Sequence, residues 1–219
     1  MLHKSDPHSA REFFPAKMSL SALRSAASHC RGCDLWKNAT QTVFGEGKSS
    51  AKILFVGEQP GNEEDLAGKP FVGPAGRLLD RALADAEISR SECYVTNVVK
   101  HFKWEPRGKR RIHKKPGVRE IAACRPWLDA EIETIQPDVL VILGATAAQS
   151  ILGASFRVSE QRGKLVDSPF PFRVIATVHP SSILRATDDE TRRREYEQFV
   201  ADLKVVSKVL RSAPAHTLR

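Results

Sequence analysis

A chain of 219 residues with 41% hydrophobic and 27% charged content is long enough to bury a core as one domain, and its composition is neither disordered, fibrous nor disulfide-rich. The net charge of +8 is concentrated, because residues 100–115 hold eight cations against one acid, Glu105. Such density suits a polyanion, DNA or RNA first, with a merely solvated loop as the plain alternative. No apolar segment opens the chain as a secretory signal would. The longest uncharged stretch, 139–156, contains Gly, Thr, Gln and Ser, so it reads as strand plus helix and no membrane partner is expected. Four cysteines make no disulfide framework, so a reducing, cytoplasmic setting is expected.

Residues 1–17 lack periodicity and are expected to form a flexible tail, 18–212 a single domain and 213–219 a C-terminal tail. Helical spacing over 18–29 leads into Cys30 and Cys33, and 51–57 is an apolar strand ending at Gly57. A loop over 57–76 carries five glycines and three prolines. It lacks the Gly-Lys-Ser/Thr of a Walker loop and the glycine spacing of a dinucleotide fingerprint. A helix over 74–88 and a strand over 93–99 follow, and then the basic loop. After it come a helix over 119–135, a strand over 137–144, a small-residue helix over 145–153, a strand over 172–180 and an amphipathic helix over 191–210.

Strands that are apolar on both faces and alternate with helices predict a three-layer α/β/α sandwich around a mainly parallel, four-stranded sheet. Ligands of such sheets bind beyond the carboxyl ends of the strands. Those ends carry Glu58, Gln59 and Gly61 after the first strand, Asn97 in the second, and His179, Ser181 and Ser182 after the fourth. The basic loop leaves the same edge.

Four motifs occur in order: Gly57-Glu58-Gln59-Pro60-Gly61, Gly68-Lys69-Pro70-Phe71-Val72-Gly73, Thr96-Asn97-Val98-Val99-Lys100 and His179-Pro180-Ser181-Ser182. Together they resemble the iron–sulfur, family 4 uracil-DNA glycosylases, from about Cys30 to the last helix. Two departures stand out. His101 occupies the position of a family cluster cysteine, and residues 109–113, Lys-Arg-Arg-Ile-His, intervene before Cys124. That insertion resembles the UdgX subclass, whose members remove uracil and remain covalently attached to the abasic DNA.

Without the resemblance, Cys30-x-x-Cys33 with His101 and Cys124 would read as structural zinc. With it, a [4Fe–4S] cluster is implied, with Cys93 and His29 as fallback ligands and a buried hydrophobe as the plain reading of Cys93. The resemblance further implies that Phe71 stacks on uracil and Asn97 reads its polar edge. Gln59, Gly61 and the His179 imidazole are implied to face its oxygens, and Glu58 to stabilise the sugar cation or orient a nucleophile. His113 is then expected to attack the sugar in place of water. Lys109, Arg110, Arg111, Lys114, Ser181 and Ser182 are expected to contact the DNA backbone. Ile183 or Leu184 can act as an apolar wedge or pack its helix. Single-stranded uracil-containing DNA is the expected partner, uracil the product, and the protein is expected to be a monomer. Ordinary turnover, and a non-catalytic damage-binding protein, are the competing functions.

Overall fold

The structure, a computed structural model, describes residues 9–212; residues 1–8 of the expected N-terminal tail and the expected tail at 213–219 lie outside them. The Ser19 hydroxyl accepts from Ala22 N and starts α1 (Leu20–Ala27). There follow β1 (Ile53–Gly57), α2 (Asn62–Ala67), α3 (Pro74–Asp85), β2 (Cys93–Asn97), β3 (Trp104–Arg107), β4 (Arg110–His113) and α4 (Val118–Ile135). The chain continues through β5 (Val139–Leu143), α5 (Ala145–Leu152), α6 (Val158–Gln161), β6 (Leu165–Val166), β7 (Arg173–Thr177), α7 (Pro180–Leu184) and α8 (Asp189–Ser212).

The main sheet has the order β2-β1-β5-β7-β6. The first four strands run parallel and β6 pairs antiparallel to β7. The sheet therefore has five strands, not the expected four. A two-residue strand such as β6 is too short to carry a period of two, and only its pairing reveals it. The central strands are buried along their whole length, which is why they read as continuous apolar runs. Leu54 and Val56 of β1 face one core with Trp127 of α4, whereas Ile53 and Phe55 face the other with Leu79 of α3 and Leu203 of α8. This alternation places helices on both faces and makes the sandwich.

Two further expectations are corrected. Residues 9–17, expected in the tail, are part of the packed unit. Ala10 is fully buried, and the rings of Phe14 and Trp127 lie 4.7 Å apart. A short segment anchored by isolated side chains has no periodicity to read. The basic stretch is not a loop either: β3 and β4 form an antiparallel hairpin with Trp104 opposite His113 and Arg107 opposite Arg110. Its tight turn begins at Gly108, whose φ of 59° would strain a residue with a β-carbon. Among the described residues no helix is long and apolar enough to cross a membrane.

Candidate active site and its basic hairpin

The carboxyl ends of the parallel strands open into a cavity of about 1000 Å³, lined by Glu58, Phe71, Asn97, His113, His179 and Arg185 among others. Gln59, Gly61, Ser181 and Ser182 also line it. β1 ends at Gly57, where a β-carbon would collide with Asn97 Oδ1 and lie 3.0 Å from Phe71 Cζ. Glycine here lets a carboxamide and an aromatic face converge on one spot. Phe71 itself holds φ at 58°, an uncommon backbone state for a bulky residue. Its ring lies 6.0 Å from that of His179.

His179 caps α7, and its Nδ1 accepts from the Ser181 backbone N–H at 3.2 Å and faces Ser181 Oγ at 2.8 Å. With Nδ1 accepting, the neutral ring carries its proton on Nε2. Burial, helped by the charge of Arg185, pushes its pKa down to about 4. The site therefore offers a stacking face, a carboxamide and a neutral N–H donor. Such a set can bind a planar polar base and stabilise negative charge growing on it.

The hairpin is latched over this cavity. Gln59, expected to touch substrate, directs its carboxamide at the hairpin base, donating to Lys103 O at 3.2 Å and Lys114 O at 2.9 Å and accepting from Lys103 N at 3.1 Å. Arg111, expected on a phosphate, is engaged within the protein. It donates to Asp65 Oδ2 at 2.6 Å and Asn62 Oδ1 at 2.7 Å, with its guanidinium 5.4 Å from the Trp104 ring. Asp65 is fully buried and also accepts from Thr40 N. Residues two apart on a strand share a face, so anchoring Arg111 turns His113 toward the body as well. His113 Nε2 lies 3.4 Å from Glu58 Oε1, with the imidazole half exposed to solvent.

Lys109 and Arg110, by contrast, are exposed and have no ion-pair partner among the described residues, and Lys114 pairs with Glu105 at 2.9 Å. One of the eight cations is not on the surface at all. Lys100 is buried, its ammonium 2.5 Å from Glu131 Oε2 and 2.7 Å from the carbonyl of Asn97. Ile183 is buried and packs its helix, while Leu184 is 39% exposed at the cavity rim.

Sequence reasoning missed Asp65, Glu64 and Glu131. Glu64 accepts from Gly61 N at 3.0 Å and Gly73 N at 2.8 Å and so ties the glycine-rich loop together. For Glu64 and Asp65 the signal in the sequence was three consecutive acids, 63–65, whose spacing does not say which are buried, and Glu131 stood as one acid in a helix.

Cys30, Cys33 and Cys124 lie within electrostatic reach of one another. Trp127 Nε1 donates to Cys30 Sγ and Lys100 N to Cys124 Sγ, both at 3.2 Å. His101 is buried and its pKa is pushed down to about 4, chiefly by that burial; its Nε2 faces Thr42 Oγ1 at 2.8 Å. Among the described residues no three His, Cys, Asp or Glu side chains are grouped to hold one metal ion. Cys93 is a buried hydrophobe whose Sγ donates to Ser89 O, and His29 is exposed.

The profile of the Uracil DNA glycosylase superfamily matches residues 44–204. The chain is 44% identical over 165 residues to a type-4 uracil-DNA glycosylase of Thermotoga maritima, covering 75% of this chain and 82% of the relative. It is 37% identical over 198 residues to the type-4 enzyme of Archaeoglobus fulgidus, covering 87% and 93%. A type-5 uracil-DNA glycosylase of Pyrobaculum aerophilum is 27% identical over 182 residues. The cavity at the strand ends, with its loop motifs in the expected order, therefore lies in a chain that belongs to the uracil-DNA glycosylase superfamily, among the type-4 relatives.

Proposed function

We propose that this protein excises uracil from DNA and then bonds to the abasic sugar through His113. The observation that carries the reading is the placement of His113: an anchored hairpin turns it into the cavity that holds Phe71, Asn97 and His179, beside the Glu58 carboxylate.

Uracil inside a duplex is out of reach, so the nucleotide enters flipped or from a single strand. Phe71 stacks on the ring and the Asn97 carboxamide pairs with its polar edge. As the glycosidic bond breaks, its electron pair leaves on uracil, where the His179 Nε2–H meets the developing anion. The sugar becomes an oxocarbenium ion, which the Glu58 carboxylate stabilises. A neutral imidazole nitrogen of His113 donates its lone pair to C1′ and forms a C–N bond. The proton on the other ring nitrogen passes to Glu58 and on through water to the departing uracilate, so charge and atoms balance. Lys109 and Arg110, free on the outer face of the hairpin, dock on phosphates and deliver the imidazole as an intramolecular reagent.

The type-4 resemblance implies a [4Fe–4S] cluster, for which Cys30, Cys33 and Cys124 would be drawn together as three ligands, N–H donors already facing two of these sulfurs, and His101 would be the fourth on turning from Thr42. The cluster would pin the N-terminal segment to the base of the hairpin and take no part in the reaction. A brown protein containing iron is expected, and a colourless one with stoichiometric zinc would remove the cluster from this account.

The decisive experiment is denaturing electrophoresis after incubation with single-stranded, uracil-containing DNA. Wild type should form a denaturation-resistant adduct that stops near one per enzyme, and His113→Ala none. Equal adduct from both proteins ends the nucleophile assignment. Continued turnover by wild type indicates an ordinary glycosylase, and no base release with enzyme in excess indicates a binding protein.

A further inference from the structure

A second cavity, of about 770 Å³, lies behind Phe71, which lines both it and the first. It runs beside β2, the edge strand of the main sheet, and the neighbouring loop closes that edge with a bridge between Glu46 and Val95. Its walls carry Arg24, Lys48, Lys69, Arg77 and Arg90 against only Glu46 and Asp80. The arginines are held in place: Arg24 donates to Gly45 O at 2.7 Å, Arg77 to Val72 O at 3.1 Å and Arg90 to Cys93 O at 3.3 Å. Lys48 and Lys69 are exposed and have no partner among the described residues. Lys69 also stands two residues before the stacking ring, between Gly68 and a buried Pro70.

We propose that this cationic groove holds the phosphodiester backbone of single-stranded DNA on one side of the target nucleotide, with Lys48 and Lys69 contacting successive phosphates. The inference rests on the proposed glycosylase reading and adds a second strand-binding surface to it, away from the basic hairpin. Two features favour a single strand. The groove and the base pocket share one aromatic wall, the Phe71 side chain. The groove also offers fixed arginines with two free ammonium groups, the pattern of an electrostatic track for a flexible polyanion. A strand that leaves the base pocket on the Phe71 side would meet this groove next.

The test is fluorescence anisotropy with oligonucleotides whose target is a 2′-fluoro deoxyuridine, which resists base loss. A trinucleotide is compared with strands extended by about six nucleotides on the 5′ or the 3′ side. Wild type should tighten on extension to one side only. In Lys48→Ala/Lys69→Ala that gain should shrink about tenfold, and the slope of log affinity against log salt should fall by about 1.4, the release expected for two phosphates of a single strand. On the trinucleotide, too short to enter, the two proteins should bind alike. Thermal unfolding should be unchanged, because both side chains are exposed. The proposal is overturned if the double variant keeps the wild-type dependence on length and salt, or if extension on neither side tightens wild-type binding. Base release from an ordinary deoxyuridine strand is read separately, so loss of the glycosylase reading is distinguishable from loss of the groove.

Discussion

At the scale of single residues, the site depends on which protons are held where. His179 presents Nε2–H because Nδ1 is already occupied as an acceptor by Ser181. With its pKa lowered to about 4, the ring stays neutral through the physiological range. His179→Ala should slow base release under single-turnover conditions by about 10²–10³-fold, the usual loss when a positioned donor to a developing anion is removed. The same burial affects stability. The unfolded chain takes up this proton near the ordinary histidine pKa of about 6.5, and the folded one only near 4. Between those values the unfolded state binds more protons, so stability falls as pH drops through that window. The full effect is on the order of 3 kcal/mol, and chemical denaturation of wild type and His179→Ala between pH 7 and 4 measures it. A wild-type curve no steeper than the variant's would sink the assignment.

At the scale of elements, the hairpin is the unit that matters. It has few apolar contacts of its own, and a two-stranded ribbon in water is at best marginal. Gln59 at its base and the Arg111–Asp65 pair at its middle hold it to the body. Asp65→Asn keeps the shape of the acceptor but removes its charge, so β4 should loosen and His113 wander. Adduct formation per bound DNA should slow about tenfold or more, while uracil release with enzyme in excess changes less. Quench-flow measurement of both products separates the two, and equal losses would mean that the latch serves binding rather than delivery.

The sequence was informative about this element and still misread it. Its charge, its histidine and its place after Asn97 were all legible, but Lys109, Arg110, Arg111 and Lys114 were alike assigned to the DNA backbone. Strand pairing between 104–107 and 110–113 turns alternate residues to opposite faces, and the buried carboxylate that makes one face the inner one comes from α2, 46 residues away. Lys100 was misjudged for the same reason, because its partner Glu131 lies on α4, 31 residues away.

At the scale of the whole molecule, one buried polar network ties the site to the core. Glu131 accepts from Lys100 Nζ, from Tyr94 Oη at 2.8 Å, from Thr96 Oγ1 at 2.9 Å and from Gly45 N at 3.0 Å. Lys100 in turn holds the Asn97 carbonyl and, through its N–H, the sulfur of Cys124. Truncating one partner leaves the other charge buried and alone, so Lys100→Met should destabilise the fold by about 3–5 kcal/mol, read as the midpoint of chemical unfolding. A drop below about 1 kcal/mol would mean that the pair is wetter than its burial implies.

What the sequence determined by itself was everything that repeats locally. Continuous apolar runs and helical spacing specified the layered sheet, and the rule that ligands gather beyond parallel strand ends brought Glu58, Asn97 and His179 to one edge, to which only the family resemblance added Phe71. What only the tertiary structure decided was which way side chains on that edge face: His113 turned in by its neighbour's buried partner, Gln59 diverted to the hairpin, Lys100 drawn into the core, and a two-residue fifth strand added at the rim. The physical reason is range. Periodicity is written between near neighbours, whereas the charge pairs that orient these groups join residues dozens of positions apart and exist only once the chain has closed.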